Sequence, residues 1–136
     1  MQMVFKRLRL LSVAVLSLLV LGCATHQEKT DEQVVGDLSQ KRLSLLKAGD
    51  VNGAYALMSP GYRAQKTIEH FKMDFGGAAN IVSFKGQSVS CEVDRCEVYV
   101  DVEYSRPAFS PNLNIVRTNI ETWIKINDEW WYVRTQ

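Results

Sequence analysis

The sequence predicts an α+β domain: helices come first and pack on one face of a four-stranded antiparallel sheet. Three observations carry this. Apolar residues recur at helical spacing between Val34 and Phe75. After Gly77 the period changes to two. The second of the resulting strands alternates without a break, with Cys96, Val98, Val100, Val102 and Tyr104 on one side and Glu97, Tyr99, Asp101, Glu103 and Ser105 on the other. Such alternation marks a sheet with one buried and one wet face. A chain of 136 residues holds one domain of this kind.

The elements follow in order. Thr30-Asp31-Glu32-Gln33 is a capping box, and behind it Val34, Val35, Leu38, Leu45 and Leu46 form the apolar stripe of a first helix that stops at Ala48-Gly49. Asp50 caps a second, short helix carrying Ala54, Tyr55, Leu57 and Met58, which Ser59-Pro60-Gly61 breaks. Thr67 caps a third with Ile68, Phe71 and Phe75, ended by Gly76-Gly77. Four strands are expected at Ile81–Glu92, Cys96–Ser105, Val116–Ile126 and Glu129–Arg134. In the first, the alternation slips around Lys85-Gly86, which predicts a bulge and a bend in the sheet. In the third, Val116, Thr118, Ile120, Thr122, Ile124 and Ile126 form the expected buried row, leaving Glu121 and Trp123 outside. Asn127-Asp128 turns the chain into the last strand, and Arg106–Asn114, with Pro107 and Pro111, is a loop.

Ahead of the domain stands an address. Lys6, Arg7 and Arg9 precede the apolar run Leu10–Leu21, which contains Ser12 and Ser17. That run falls well short of the roughly 20 residues a spanning helix needs, so it reads as a signal-peptide core. Its ending, Val20-Leu21-Gly22-Cys23, resembles the lipobox of bacterial lipoproteins, with Leu21 bulkier than the commonest residue there. The resemblance implies that residues 1–22 are a lipoprotein signal peptide and that Cys23 becomes a lipidated, palmitate-bearing N-terminus. With Ala24 rather than Asp behind it, it also implies an outer-membrane lipoprotein facing the periplasm, or a cell-membrane one where the organism has a single membrane. Residues 24–30 are polar, His26 among them, and make a flexible spacer. The membrane, reached through the lipid, is thus the first expected partner.

The remaining cysteines, Cys91 and Cys96, flank a polar hairpin connection. Residues opposed across a hairpin bring their Cα atoms to about 5 Å, within disulfide range, so a Cys91–Cys96 staple is expected. A zinc site would need two further ligands, and His70 is the sole histidine within the domain. No metal and no cofactor are expected. Sixteen Lys and Arg against fifteen Asp and Glu give a formal charge of +1, too small a basic surplus for a nucleic-acid binder.

The run Leu46-Lys47-Ala48-Gly49-Asp50-Val51-Asn52-Gly53-Ala54-Tyr55-Ala56-Leu57-Met58-Ser59-Pro60, followed by Tyr62-Arg63, resembles the opening of secreted nuclear transport factor 2-like (cystatin-like cone) domains. Asn127-Asp128-Glu129-Trp130-Trp131-Tyr132-Val133 is similar to the final hairpin of that superfamily. The likeness covers residues 31–136 and implies a cone whose bent sheet wraps a pocket closed by helices. It does not choose an activity, since the superfamily holds enzymes, transport factors and assembly subunits alike.

The expected pocket-facing rows offer no group that titrates near neutrality, as acid–base catalysis requires. Tyr62 and Arg63 at the rim are candidates for holding an anionic ligand, with local packing as the alternative. Tyr104, Thr118 and Thr122 are candidates for the few polar contacts of a small apolar ligand. Tyr99 and Trp123, on the wet face among mixed charges, are candidates for an interaction face with an envelope protein or a second copy. The primary reading is therefore a non-catalytic binding or scaffolding domain on a lipid anchor. The alternatives are a pocket enzyme of isomerase or hydrolase type using His70 or Tyr104, and a purely structural assembly subunit.

Overall fold

Thr30 starts the first helix as its capping box requires. Its hydroxyl accepts from the Gln33 amide at 3.3 Å, while the Gln33 side chain accepts from the Thr30 amide at 3.1 Å. The computed structural model describes residues 28–75 and 80–135. Four helices, α1 (Asp31–Lys47), α2 (Val51–Ala56), α3 (Pro60–Gln65) and α4 (Ile68–Phe75), precede strands β1 (Ile81–Glu92), β2 (Arg95–Ser105), β3 (Asn114–Ile126) and β4 (Glu129–Val133). The leader, Cys23, His26 and the expected Gly76-Gly77 stop lie outside the described residues. None of the described helices is long and apolar enough to cross a membrane.

Helix α1 buries Val35, Ser39, Arg42, Leu43 and Leu46, one face at helical spacing, against the sheet. It ends where Gly49 takes φ +74°, a left-handed conformation that glycine adopts without a Cβ penalty. Asp50 then caps α2 by accepting from the Gly53 amide at 2.9 Å. Ser59-Pro60-Gly61 does more than break a helix. The Ser59 hydroxyl accepts from the Tyr62 amide at 3.3 Å and Pro60 is the first residue of α3, a position where its missing N–H leaves no bond unmade.

The strands form an antiparallel meander in the order β1-β2-β3-β4. Register shifts between Ile81 and Ser83 and between Gly86 and Ser88 place bulges in β1, the second beside the expected slip. Asn127 and Asp128 both have positive φ, 52° and 62°, the type I′ geometry that matches strand twist in a two-residue hairpin. The outer edge of β4 is engaged by the α2–α3 connection: the Tyr132 amide donates to the Leu57 carbonyl and the Ser59 amide to the Tyr132 carbonyl, each at 2.9 Å. Strand β1 forms the other edge.

Cys91 and Cys96 lie directly opposite each other and are disulfide-bonded, with Cα atoms 4.0 Å apart. Because the loop is short, the Cys91→Ala/Cys96→Ala variant should lose about 2 kcal/mol, the low end for disulfides. The readout is a lower urea midpoint with an unchanged slope.

The valine ladder of β2 faces inward as expected: Val98 and Val100 are 2% exposed and Val102 is 0%. Strand β3 does not follow the expected row. Cys96 pairs with Trp123, Val98 with Glu121, Val100 with Asn119 and Val102 with Arg117, and paired residues share a face. Arg117, Asn119, Glu121, Trp123 and Lys125 therefore point inward. Val116 and Ile120 stand outside, 65% and 51% exposed. Arg117 stays exposed and Asn119 bonds Tyr104 on β2, whereas Glu121 and Lys125 are tolerated because α1 brings partners to them. Arg42 meets Glu121, and Asp31 receives the Lys125 ammonium at 3.0 and 3.2 Å and the Trp130 indole N–H at 3.1 Å.

Candidate functional site

Inside the cone, Glu121 is the one carboxylate that the sheet turns toward the helices in the middle of the ladder. One of its oxygens accepts from Arg42 Nη1 at 2.8 Å and the other from Trp123 Nε1 at 3.2 Å. The two charged side chains are 4% and 3% exposed. The Arg42 guanidinium carbon lies over Tyr132, 3.7 Å from its ring centroid, and 5.1 Å from that of Phe75. Arg42 Nε is buried with no partner among the described residues. Trp123 packs edge-on to Tyr132 at 5.7 Å. Both Glu121 oxygens are thus occupied, and aromatic rings surround the ion pair.

A second polar group sits at the rim. The Tyr62 hydroxyl donates to Asp74 at 2.9 Å, and Arg134 bonds the same carboxylate oxygen at 2.5 Å. These residues, with Gln65, Lys66 and Thr135, line an open recess of about 570 Å³. Arg134, then Tyr62, hold the Asp74 carboxyl below its ordinary 3.8. Burial, then the Asp74 contact, push the Tyr62 phenol up to about 12. Asp31 is likewise held below 3.8, first by Lys125 and then by Trp130. A carboxyl whose folded pKa is depressed contributes stability above its unfolded value and loses it as pH falls through the folded one. The melting temperature should therefore fall below about pH 4, and Asp31→Asn and Asp74→Asn should each flatten that acid limb. Thermal melts across the acid range check this; an unchanged limb in both variants would contradict it.

The candidate pocket residues do not converge. Tyr62 is engaged at the rim, and Arg63 donates to the Met58 carbonyl at 3.1 Å while stacking 4.9 Å from Trp131. Tyr104 faces inward and its hydroxyl accepts from Asn119 at 2.8 Å. Thr118 is on the opposite, outer face, donating to Asp101 at 2.6 Å. Thr122 is buried, but on that outer face, opposite Glu97 and Val133. Of the interaction-face pair, Tyr99 does stand outside, opposite Ile120, whereas Trp123 is 0% exposed in the core. Asp101 and Glu103 are on the outer face, bonded to Gln87, Thr118, Ser83 and Asn114. His70 is exposed on α4, its Nδ1 3.1 Å from the Thr67 hydroxyl. Among the described residues, no three acidic, histidine or cysteine side chains cluster as a metal site.

One feature escaped the periodicity reading. Between α1 and β1 runs a groove of about 510 Å³, walled by Gly36, Gln40 and Leu43 on the helix and by Phe84 and Gly86–Val89 on the strand, with Val98 and Val100 as floor. The sequence signal was present: a glycine inside a helix and another inside a strand, each costing roughly 0.5–1 kcal/mol relative to alanine.

No protein-family model and no curated protein matches the sequence. Two solved structures resemble the fold. One is the solution structure of a SEC-C motif containing protein from Rhodopseudomonas palustris, with a TM-score of 0.57 and 12% identity over 71% of this chain and 73% of that one. The other is the crystal structure of an NTF2-like transpeptidase from Campylobacter jejuni, with a TM-score of 0.50 and 11% identity over 74% of this chain and 97% of that one. At such identities the likeness is one of architecture alone. The chain shares the NTF2-like fold of that neighbour, with helices followed by a curved four-stranded antiparallel sheet.

Proposed function

We propose that this protein is a lipid-anchored component of the bacterial cell envelope whose NTF2-like domain binds or scaffolds rather than catalyses. The observation that carries the non-catalytic part is the interior: Glu121 has both oxygens bonded and is covered by Arg42, Trp123 and Tyr132. The anchor rests on the basic, then apolar leader ending in Val20-Leu21-Gly22-Cys23. The Cys91–Cys96 disulfide suits an oxidising compartment such as the periplasm. Ala24 favours the outer membrane in a two-membrane cell. The spacer 24–30, at about 3.5 Å per residue, keeps the domain within about 25 Å of the bilayer.

The test is fractionation with palmitate labelling. Wild-type protein should pellet with membranes and take the label, and Cys23→Ser should be soluble and unlabelled. A Cys23→Ser protein that stays in the pellet removes the anchor. Binding through surfaces, by an envelope partner or a second copy, is favoured over a small apolar ligand in the interior. The outer sheet face exposes Val116 and Ile120, the latter opposite Tyr99, whereas the Glu121 carboxylate inside is already covered by Arg42, Trp123 and Tyr132.

A further inference from the structure

We propose that the loop joining β2 to β3 docks an acidic partner protein of the cell envelope, with Phe109 as the side chain that enters the partner. This rests on the reading of the domain as an anchored binding module, and it names the surface used and the chemistry of the partner.

Single exposed apolar side chains are ordinary, but here three follow one another along one turn of the chain. Phe109 is 80% exposed, Leu113 is 39% exposed where the loop rejoins β3, and Val116 is 65% exposed just beyond it. The loop holds its own shape. The Arg106 amide donates to the Leu113 carbonyl at 2.8 Å and the Leu113 amide to the Ser110 carbonyl at 3.1 Å. The Phe109 and Ser110 amides both donate to the Arg106 carbonyl, at 3.0 and 3.2 Å, and Pro107 and Pro111 fix two further backbone angles. A loop already set loses little freedom on binding. An exposed aromatic side chain on such a backbone is the kind of anchor on which binding energy concentrates.

Charge names the partner. From Tyr104 to Ile120 the only charged residues are Arg106 and Arg117. Neither belongs to an ion pair among the described residues. The nearest acid on the strands, Glu103, is held by the Ser83 hydroxyl at 2.7 Å and the Asn114 amide at 3.0 Å. Two guanidinium groups around an exposed ring complement an apolar pocket bordered by carboxylates.

Position favours a protein over a lipid surface. Asp31, the first residue of α1, is bonded to Lys125 and Trp130, so the chain enters the domain at the end of the sheet that carries the β1–β2 and β3–β4 turns. The loop is at the other end, where Ser105 pairs with Asn114. Strand β2, 11 residues long, separates the two ends by roughly 35 Å at about 3.3 Å per residue. On the two turns of the entry end, Glu92, Asp94, Asp128 and Glu129 are exposed against Arg95 alone. Anionic headgroups repel such an end, and an anchor ahead of α1 therefore leaves the basic loop as the pole farthest from the bilayer.

The test is photo-crosslinking in intact cells that make the full-length protein. Benzoylphenylalanine replaces Ala108, next to Phe109, or Val93, 86% exposed at the entry end. Position 108 should give one protein adduct and position 93 should not. Mass spectrometry should place the crosslink on the partner at an apolar site flanked by Asp or Glu. Phe109→Ala and Arg117→Glu, both at exposed positions, should each lower the adduct at least about fivefold with an unchanged melting temperature. The crosslink map is read with Phe109 and both arginines in place, so it stands without the variants. An adduct to phospholipid, an adduct of twice the mass of the chain, or a partner site without carboxylates would overturn the proposal. So would equal adducts from both positions, an adduct indifferent to both substitutions, or none at all. Fractionation is read separately. A wild-type protein that does not pellet would sink the anchor reading, and an anchored protein with no adduct at position 108 would sink only this one.

Discussion

Glu121→Ala should destabilise the domain by about 3–5 kcal/mol, the range for stripping one partner from a buried ion pair. The reason is what remains behind. Arg42, 4% exposed on its side chain, would keep its charge in the core without a counter-ion. Its Nε already lacks a partner among the described residues, and Trp123 Nε1 would lose its acceptor. At roughly 4–8 °C per kcal/mol for a small domain, the melting temperature should fall by more than about 10 °C. The paired variant Arg42→Met/Glu121→Leu should recover most of the loss, because it removes both charges and keeps apolar volume against Tyr132 and Phe75. Thermal melts of the three proteins check this. Equal melting of Glu121→Ala and wild type would mean that the pair does not contribute.

Trp123→Ala should cost a comparable 3–5 kcal/mol, roughly the value for emptying a large aromatic site in a packed core. Trp123→Phe separates the two roles of the side chain. It keeps most of the packing on Tyr132 but leaves the second Glu121 oxygen without its donor, a loss of about 1–3 kcal/mol for an unsatisfied buried group. Urea unfolding of both variants provides the measurement. A tryptophan on the wet face would give changes within about 0.5 kcal/mol of zero on substitution, so the experiment also discriminates between the two faces of β3.

That strand shows where local sequence stops being informative. Strand β2 was legible because its two faces differ in kind, valines against acids. The caps were legible because Thr30, Asp50 and Thr67 act on amides three residues away. Strand β3 reads Ile115-Val116-Arg117-Thr118-Asn119-Ile120-Glu121-Thr122-Trp123-Ile124, with apolar residues of both parities. The more aliphatic row looked like the core. What reverses it is the pairing of Arg42 with Glu121 and of Asp31 with Lys125, across sequence separations of 79 and 94. A one-residue choice of register flips a whole strand, and partners so far along the chain leave no trace in its alternation. The candidate pocket failed for the same reason: Thr118 and Thr122 were placed with Tyr104 through the wrong parity. The groove was missed because it lies between elements and not along one.

The two borders of the sheet have different fates. Residues 57–59 are hydrogen-bonded to β4, while β1, among the described residues, pairs with β2 alone. Head-to-tail stacking into fibrils demands two sticky borders on every copy. With one border already engaged, edge pairing through β1 would join two copies as a closed couple and leave no second border from which a thread could grow.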